Sequence, residues 1–184
     1  MSLSTLDPRP ALVVIDLQKG IVALPVAHPA SEIVQRAASL ADEFRRRELP
    51  VVLVNVNGTP PGRTEAAHGD FTPPPDWAEL TSELGAHPDD HTITKQRWGA
   101  FTGSSLHDHL QSQGVTQVVL TGIATSIGVE STARSAHEHG YHVVLATDAM
   151  TDLDPDAHNH SVEKIFPQLG ETATTDEILA TLAG

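Results

Sequence analysis

Residues 121–136 read TGIATSIGVESTARSA. The run before them, Gln117 to Leu120, is short and apolar, as in a buried strand, and the small residues after the turn form a helical stretch that Gly140 stops. A strand that ends in a glycine-containing turn and passes into a helix N-terminus aims several backbone N–H groups at one point beyond the sheet. Such a point suits an anion or a developing oxyanion. Units of this kind build open α/β sheets, which bind ligands outside the C-terminal ends of their strands.

Working outward, residues 11–15, ALVVI, form a second continuous apolar run that ends at Asp16. On position alone Asp16 is either a site carboxylate or a turn or cap aspartate. Gln18, two residues on, either supports it, touches ligand or is a solvated loop residue. Ser31 to Glu48 is patterned as an amphipathic helix with Ile33, Val34, Ala37, Leu40, Ala41 and Phe44 on one face. Pro50 breaks it, VVLVNVN follows as a strand, and Gly58 to Pro75 is a long polar loop in which Arg63, His68 and Phe71 are candidate contacts. His91 to Lys95 is a further strand that delivers Lys95 to the same edge as Asp16. Arg97, Trp98 and Phe101 follow in a loop, with Trp98 placed to line a pocket and Phe101 to join the core. A helix is expected over Ser104 to Gln113, ending at Gly114. HVVLATDAM gives a fifth strand with Asp148 near its end; Thr172 to Thr174 is a sixth, flanked by helices over Ser161 to Leu169 and Thr175 to Leu182. Right-handed crossovers then predict the order 3-2-1-4-5-6, which brings Asp16 beside the turn carrying Gly128.

Three stretches together, ALVVIDLQKG at 11–20, ITKQRWGAFTGSSL at 93–106 and the 121–136 segment, resemble the isochorismatase-like superfamily, often called the cysteine hydrolases. The resemblance covers nearly the whole chain. It implies an α/β fold, a Rossmann-like three-layer sandwich on a mostly parallel six-stranded sheet, and an aspartate, a lysine and a cysteine meeting in one pocket. Asp16 and Lys95 match the first two, but the cysteine position is Gly128, and the chain has no cysteine. The resemblance further implies ligand contacts at Gln18, Trp98, Ile123, Ala124, Thr125 and Ser126, a cis peptide between Ile123 and Ala124, and a homodimer or homotetramer. One branch of the family binds zinc after its second strand; the matching region here reads NVNGTPPGR, so neither a metal nor another cofactor is expected.

Glycine at position 128 closes the thiol route. Members with glycine there cleave a vinyl ether by general acid catalysis without a covalent intermediate. The resemblance therefore implies a hydrolase acting on a small anionic substrate such as isochorismate, with Asp16 as acid, Lys95 orienting it and Gly128 leaving room. Two alternatives are a catalytically silent binding protein and an amidase with a non-thiol nucleophile, for which Ser126 and Thr125 are the nearest hydroxyls.

Composition sets the outer limits. The length of 184 residues fits one domain over 1–184. A formal charge of −13 argues against nucleic acid or anionic membrane as partner. No apolar run reaches a membrane span and the N-terminus lacks a signal pattern, so a cytoplasmic protein is expected. Histidines two apart occur at His107/His109, His137/His139 and His158/His160. Residues two apart on a helix point in different directions, so these are not read as metal ligands.

Overall fold

The computed structural model describes residues 3–65 and 72–184. Six strands, β1 (Pro10–Ile15), β2 (Val51–Val56), β3 (His91–Lys95), β4 (Gln117–Ile123), β5 (His142–Thr151) and β6 (Glu171–Ala173), form one sheet in the order β3-β2-β1-β4-β5-β6. Every pairing is parallel. The order expected from right-handed crossovers is the one observed.

A parallel sheet must be covered on both faces, and the alternation within β1 shows how. Ala11, Val13 and Ile15 face a core completed by Leu106, Leu110, Ala133, Ala136 and Phe166. Leu12 and Val14 face the other core, closed by Ile33, Ala37, Leu40, Phe44, Ile178 and Leu182. After β1 comes a single helical turn, α1 (Lys19–Val22); α2 (Ala30–Arg46) and α7 (Thr175–Ala183) cover one face, and α3 (Leu106–Ser112), α4 (Glu130–Glu138) and α6 (Phe166–Leu169) the other. Both layers and the buried sheet follow from apolar periodicity.

Element ends differ from expectation where a local signal competes. The helix expected to reach Glu48 stops at Arg46, because Glu48 adopts a left-handed conformation (φ 56°) and the Leu49 N–H closes back on the Phe44 carbonyl at 2.9 Å. The helix expected from Ser161 begins six residues earlier as α5 (Pro155–His160), capped by the Asp154 side chain, which accepts from the Asp156 N–H. It continues to Leu169 through a π-helical turn, Ser161–Ile165. The helix expected from Ser104 starts at Leu106, whose N–H is taken by the Ser104 hydroxyl at 3.2 Å.

The site is positioned by the switch point between β1 and β4. Gly122 is left-handed there (φ 125°), and a Cβ on it would stand 2.0 Å from the Ile15 carbonyl oxygen. Only glycine lets the two strands run this close at their ends. On its other side β4 meets a bulged β5: Leu120 pairs with Leu145, but Gly122 pairs with Met150. Asp148, within the bulge, accepts from the N–H and hydroxyl of Thr175 and so anchors the start of α7. No helix among the described residues is long and apolar enough to cross a membrane.

Candidate active site

Asp16 is the first residue beyond β1 and has φ 53°, a left-handed conformation uncommon outside glycine but open to aspartate. Its N–H donates to the Val54 carbonyl at 2.9 Å, which holds the backbone while the carboxyl turns to the strand edge. Lys95 ends β3, two strands away, and its stem crosses the end of β2 to reach the same point. The Lys95 Nζ donates to Asp16 Oδ2 at 2.6 Å, and both residues are buried. The other oxygen, Asp16 Oδ1, is buried without a hydrogen-bond partner.

That arrangement sets the electrostatics. Burial pushes the Asp16 carboxyl up from 3.8 to about 6, against the opposing pull of the Lys95 ammonium. Desolvation prevails because the carboxyl is buried and the one cation beside it bonds only one of its oxygens. A buried carboxylate oxygen with no donor is costly, and protonation relieves it.

Across the switch point, the Ile123–Ala124 peptide is cis, as expected. A π-helical turn, Thr125–Val129, with Thr125, Gly128 and Val129 buried, then leads into α4. A Cβ built on Gly128 would lie 3.3 Å from Asp16 Oδ2, 3.0 Å from Ile15 Cγ2 and 3.6 Å from the Trp98 carbonyl oxygen. A side chain here would therefore touch the Asp16 carboxyl directly, and glycine leaves that space open.

Asp16, Lys95, Gly128, Trp98, Ile123 and Ala124 all line one cavity of about 240 Å³, together with Ile21, Leu24, Val56, Gly58, Thr59, Trp77, Arg97, Ile127 and Leu153. Its walls are mostly apolar and its floor carries the charged pair. Of the buried side-chain polar atoms without a partner among the described residues, only Asp16 Oδ1 belongs to a residue of this cavity. Leu24, Trp98 and Leu153, the exposed large hydrophobics among the described residues, all belong to it as well.

Three residues expected to touch ligand lie elsewhere. Gln18 is fully buried and its amide is spent: Nε2 donates to the carbonyls of Val56 (3.0 Å) and Trp77 (3.2 Å), and Oε1 accepts from the Val56 N–H (2.7 Å). It fastens the Trp77 segment to the end of β2. Thr125 is fully buried, its hydroxyl paired with His158 Nδ1 at 2.8 Å. The N–H of Ser126 donates to Asp152 Oδ2 at 2.7 Å. The anion that the turn is suited to hold is thus, at this N–H, supplied by the protein itself. Thr125 and His158 have the atoms of a nucleophile and base, but no route to the cavity.

His158, passed over as half of a ligand-spaced pair, is the organiser that sequence reasoning missed. Its ring meets that of His28 edge-on at 4.8 Å between centroids, and His28 Nδ1 lies 2.9 Å from the Thr151 hydroxyl. Burial, with His28 next to it, holds the His158 imidazole below its usual range despite the nearby Asp152 carboxylate. Four other histidines pair by stacking: His107 on His139 and His109 on His91. Of the loop candidates, Arg63 is exposed and outside the cavity lining, whereas His68 and Phe71 lie outside the described residues.

Known proteins resemble this chain over nearly its whole length. The isochorismatase domain model matches residues 10–177. An isochorismatase family protein of Bacillus subtilis is 42% identical over 93% of each chain. A solved isochorismatase family protein of Burkholderia thailandensis is 41% identical, covers 98% of each chain and superposes with a TM-score of 0.93. A phenazine biosynthesis protein of Pseudomonas aeruginosa is 29% identical over 95% of this chain and 87% of its own.

Proposed function

The chain belongs to the isochorismatase family, and from that premise we propose that it hydrolyses a small anionic vinyl ether, of which isochorismate is the model, with Asp16 as general acid. The observation that carries this reading is the state of one carboxyl. Asp16 titrates near 6 and has an unpartnered oxygen at the floor of a cavity, where Gly128 leaves the space beside it open. A general acid works best when its pKa lies near the working pH.

The steps balance without a covalent intermediate. The Asp16 proton passes to the terminal carbon of the enol ether, giving an oxocarbenium ion. Water adds to the cationic carbon, and its released proton returns to the Asp16 carboxylate. The resulting hemiketal collapses to a ketone and an alcohol. Lys95 holds Oδ2 and fixes the carboxyl plane, so that the proton is carried on Oδ1. Its ammonium also balances the carboxylate left after transfer. A positioned acid contributes on the order of 10² to 10⁴ in rate, and the remainder rests on the fixed charges of a mostly apolar cavity.

The test is turnover of isochorismate, read as release of pyruvate, by wild type and Asp16→Asn over a range of pH. Only the protonated acid acts, so the wild-type rate should fall as pH rises through about 6, approaching a tenfold loss per unit above it. Asn has no proton to give and should remove the rate. Turnover by Asp16→Asn at the wild-type rate would remove Asp16 from the chemistry.

A further inference from the structure

Residues 96–105, which follow β3, form neither helix nor strand, yet Trp98 lines the cavity and Ala100 is fully buried. A buried N–H in an irregular segment must find an acceptor. That of Ala100 donates to the hydroxyl of Thr132 at 3.0 Å. Among the described residues this is the one hydrogen bond that joins residues 96–101 to the turn after β4 or to α4.

Thr132 stands in the first turn of α4 and is fully buried. Its own proton goes back to the Gly128 carbonyl at 2.7 Å, the i−4 bond open to a helical threonine. With that single proton committed to Gly128, the hydroxyl has a lone pair left for Ala100. One side chain thus links the segment that carries Trp98 to the peptide of the residue whose Cβ would stand against Asp16. The backbones run close along the whole seam: a Cβ on Gly99 would meet the Ser131 carbonyl oxygen at 3.3 Å, and one on Gly128 the Trp98 carbonyl oxygen at 3.6 Å.

We propose that Thr132 is a positioning residue: by tying Ala100 to Gly128 it fixes the Trp98 segment against position 128 and so sets the width of the space beside Asp16. Thr132 does not line the cavity, so it acts through the two segments that it joins. The inference rests on the acid chemistry proposed above only for the reaction that reads it out.

The experiment sets Thr132→Val, which keeps the shape and loses both bonds, against Thr132→Ser, which keeps both bonds and loses a buried methyl. Each is made in the wild-type chain and in Gly128→Cys. A displacement of about 1 Å near a reacting group costs up to about 10² in rate, so Thr132→Val should lower kcat for isochorismate about tenfold or more with KM changed less than about threefold. Thr132→Ser should keep at least about half of kcat although its Tm falls. In Gly128→Cys the Trp98 carbonyl stands over the new thiol. Releasing it with Thr132→Val should speed labelling by iodoacetamide about threefold or more, while Thr132→Ser should leave the rate within about twofold. Amide hydrogen exchange over residues 96–103, which needs neither substrate nor thiol, should quicken in Thr132→Val and not in Thr132→Ser. A threonine with a merely structural role would lower Tm in both variants and, well below Tm, leave kcat and labelling unchanged; that result, or a Thr132→Ser as impaired as Thr132→Val, overturns the proposal. Should Thr132→Val not fold, Thr132→Ser decides alone, because its kcat must hold while its Tm falls. A wild type that turns over no isochorismate removes the acid reading instead, and labelling and exchange then decide the role of Thr132 by themselves.

Discussion

Two polar clusters, buried but for His28, stand at the same edge of the sheet, on either side of the turn after β4, and they are built on opposite terms. In the first, Thr125, His158, His28, Thr151 and Asp152 tie the turn to β5, α5 and the segment before α2. The hydroxyl of Thr125 has His158, that of Thr151 has His28, and the Asp152 oxygens take the N–H groups of Ser126 and Leu153. In the second, Lys95 takes one oxygen of Asp16 and the other has nothing. A satisfied network rigidifies, while a buried carboxyl with one oxygen left to carry a proton is poised for acid chemistry. On the proposed function, the second cluster acts and the first supports it.

The largest expected effect removes the acid itself. Asp16→Asn should lower turnover by about 10² to 10⁴ with the far-ultraviolet circular dichroism unchanged, whereas Thr125→Val in the satisfied cluster should cost less than about tenfold. Equal losses from the two variants would erase the distinction.

Filling the open space comes next. Gly128→Cys puts Cβ 3.3 Å from Asp16 Oδ2, and its sulfur would occupy the room beside the acid. Vinyl ether turnover should fall at least about tenfold, and iodoacetamide should label the new thiol, more slowly in the Asp16→Asn background where no carboxylate accepts the thiol proton. A thiol that resists the reagent at every pH, read by mass spectrometry, would show that position 128 does not reach the cavity.

The supporting cluster should show itself in stability. Thr125→Val leaves a buried imidazole nitrogen without its partner and should cost about 1–3 kcal/mol, a drop in Tm of several degrees for a domain of this size. Thermal unfolding that matches wild type would mean that the Thr125–His158 bond contributes nothing.

The smallest effect is the sign of the pH dependence, which the two clusters oppose. The folded-state pKa of Asp16 is raised, so its contribution to stability is present below about 4 and is lost as pH rises to about 6. The folded-state pKa of His158 is lowered, so the unfolded chain takes up a proton that the folded one refuses, and stability is lost as pH falls below 6.5. Asp16→Asn should remove the first slope from a plot of Tm against pH and His158→Gln the second. Parallel curves for the two variants would refute the assignment.

How far the sequence led depends on which forces were local. Strand order and the meeting of Asp16 with Lys95 were legible, because apolar runs mark buried strands and parallel strands bring their C-terminal ends to one edge. Side-chain direction around the turn was not. Thr125 and Ser126 belong to a π-helical turn, whose wider winding sends side chains where α-helical spacing does not. Gln18 looked like a ligand contact because it follows Asp16, yet its partners, Val56 and Trp77, lie far along the chain. His158 was invisible for the same reason: its partner Thr125 is 33 residues away. The start of α5 was there to be read, since Asp154 followed by Pro155 is an N-cap and a first-turn proline. The family resemblance supplied what spacing could not, that position 128 is where a sulfur would otherwise stand.

That glycine has a consequence for how the protein meets oxidants. A thiolate nucleophile is oxidised by peroxide through sulfenic to sulfinic acid, and each step silences it. No residue lining this cavity is a cysteine or a methionine, and the acid that replaces the thiol has no redox chemistry of its own. On the proposed mechanism, peroxide would silence a catalytic cysteine but spare Asp16, and the chain would forgo redox control in return.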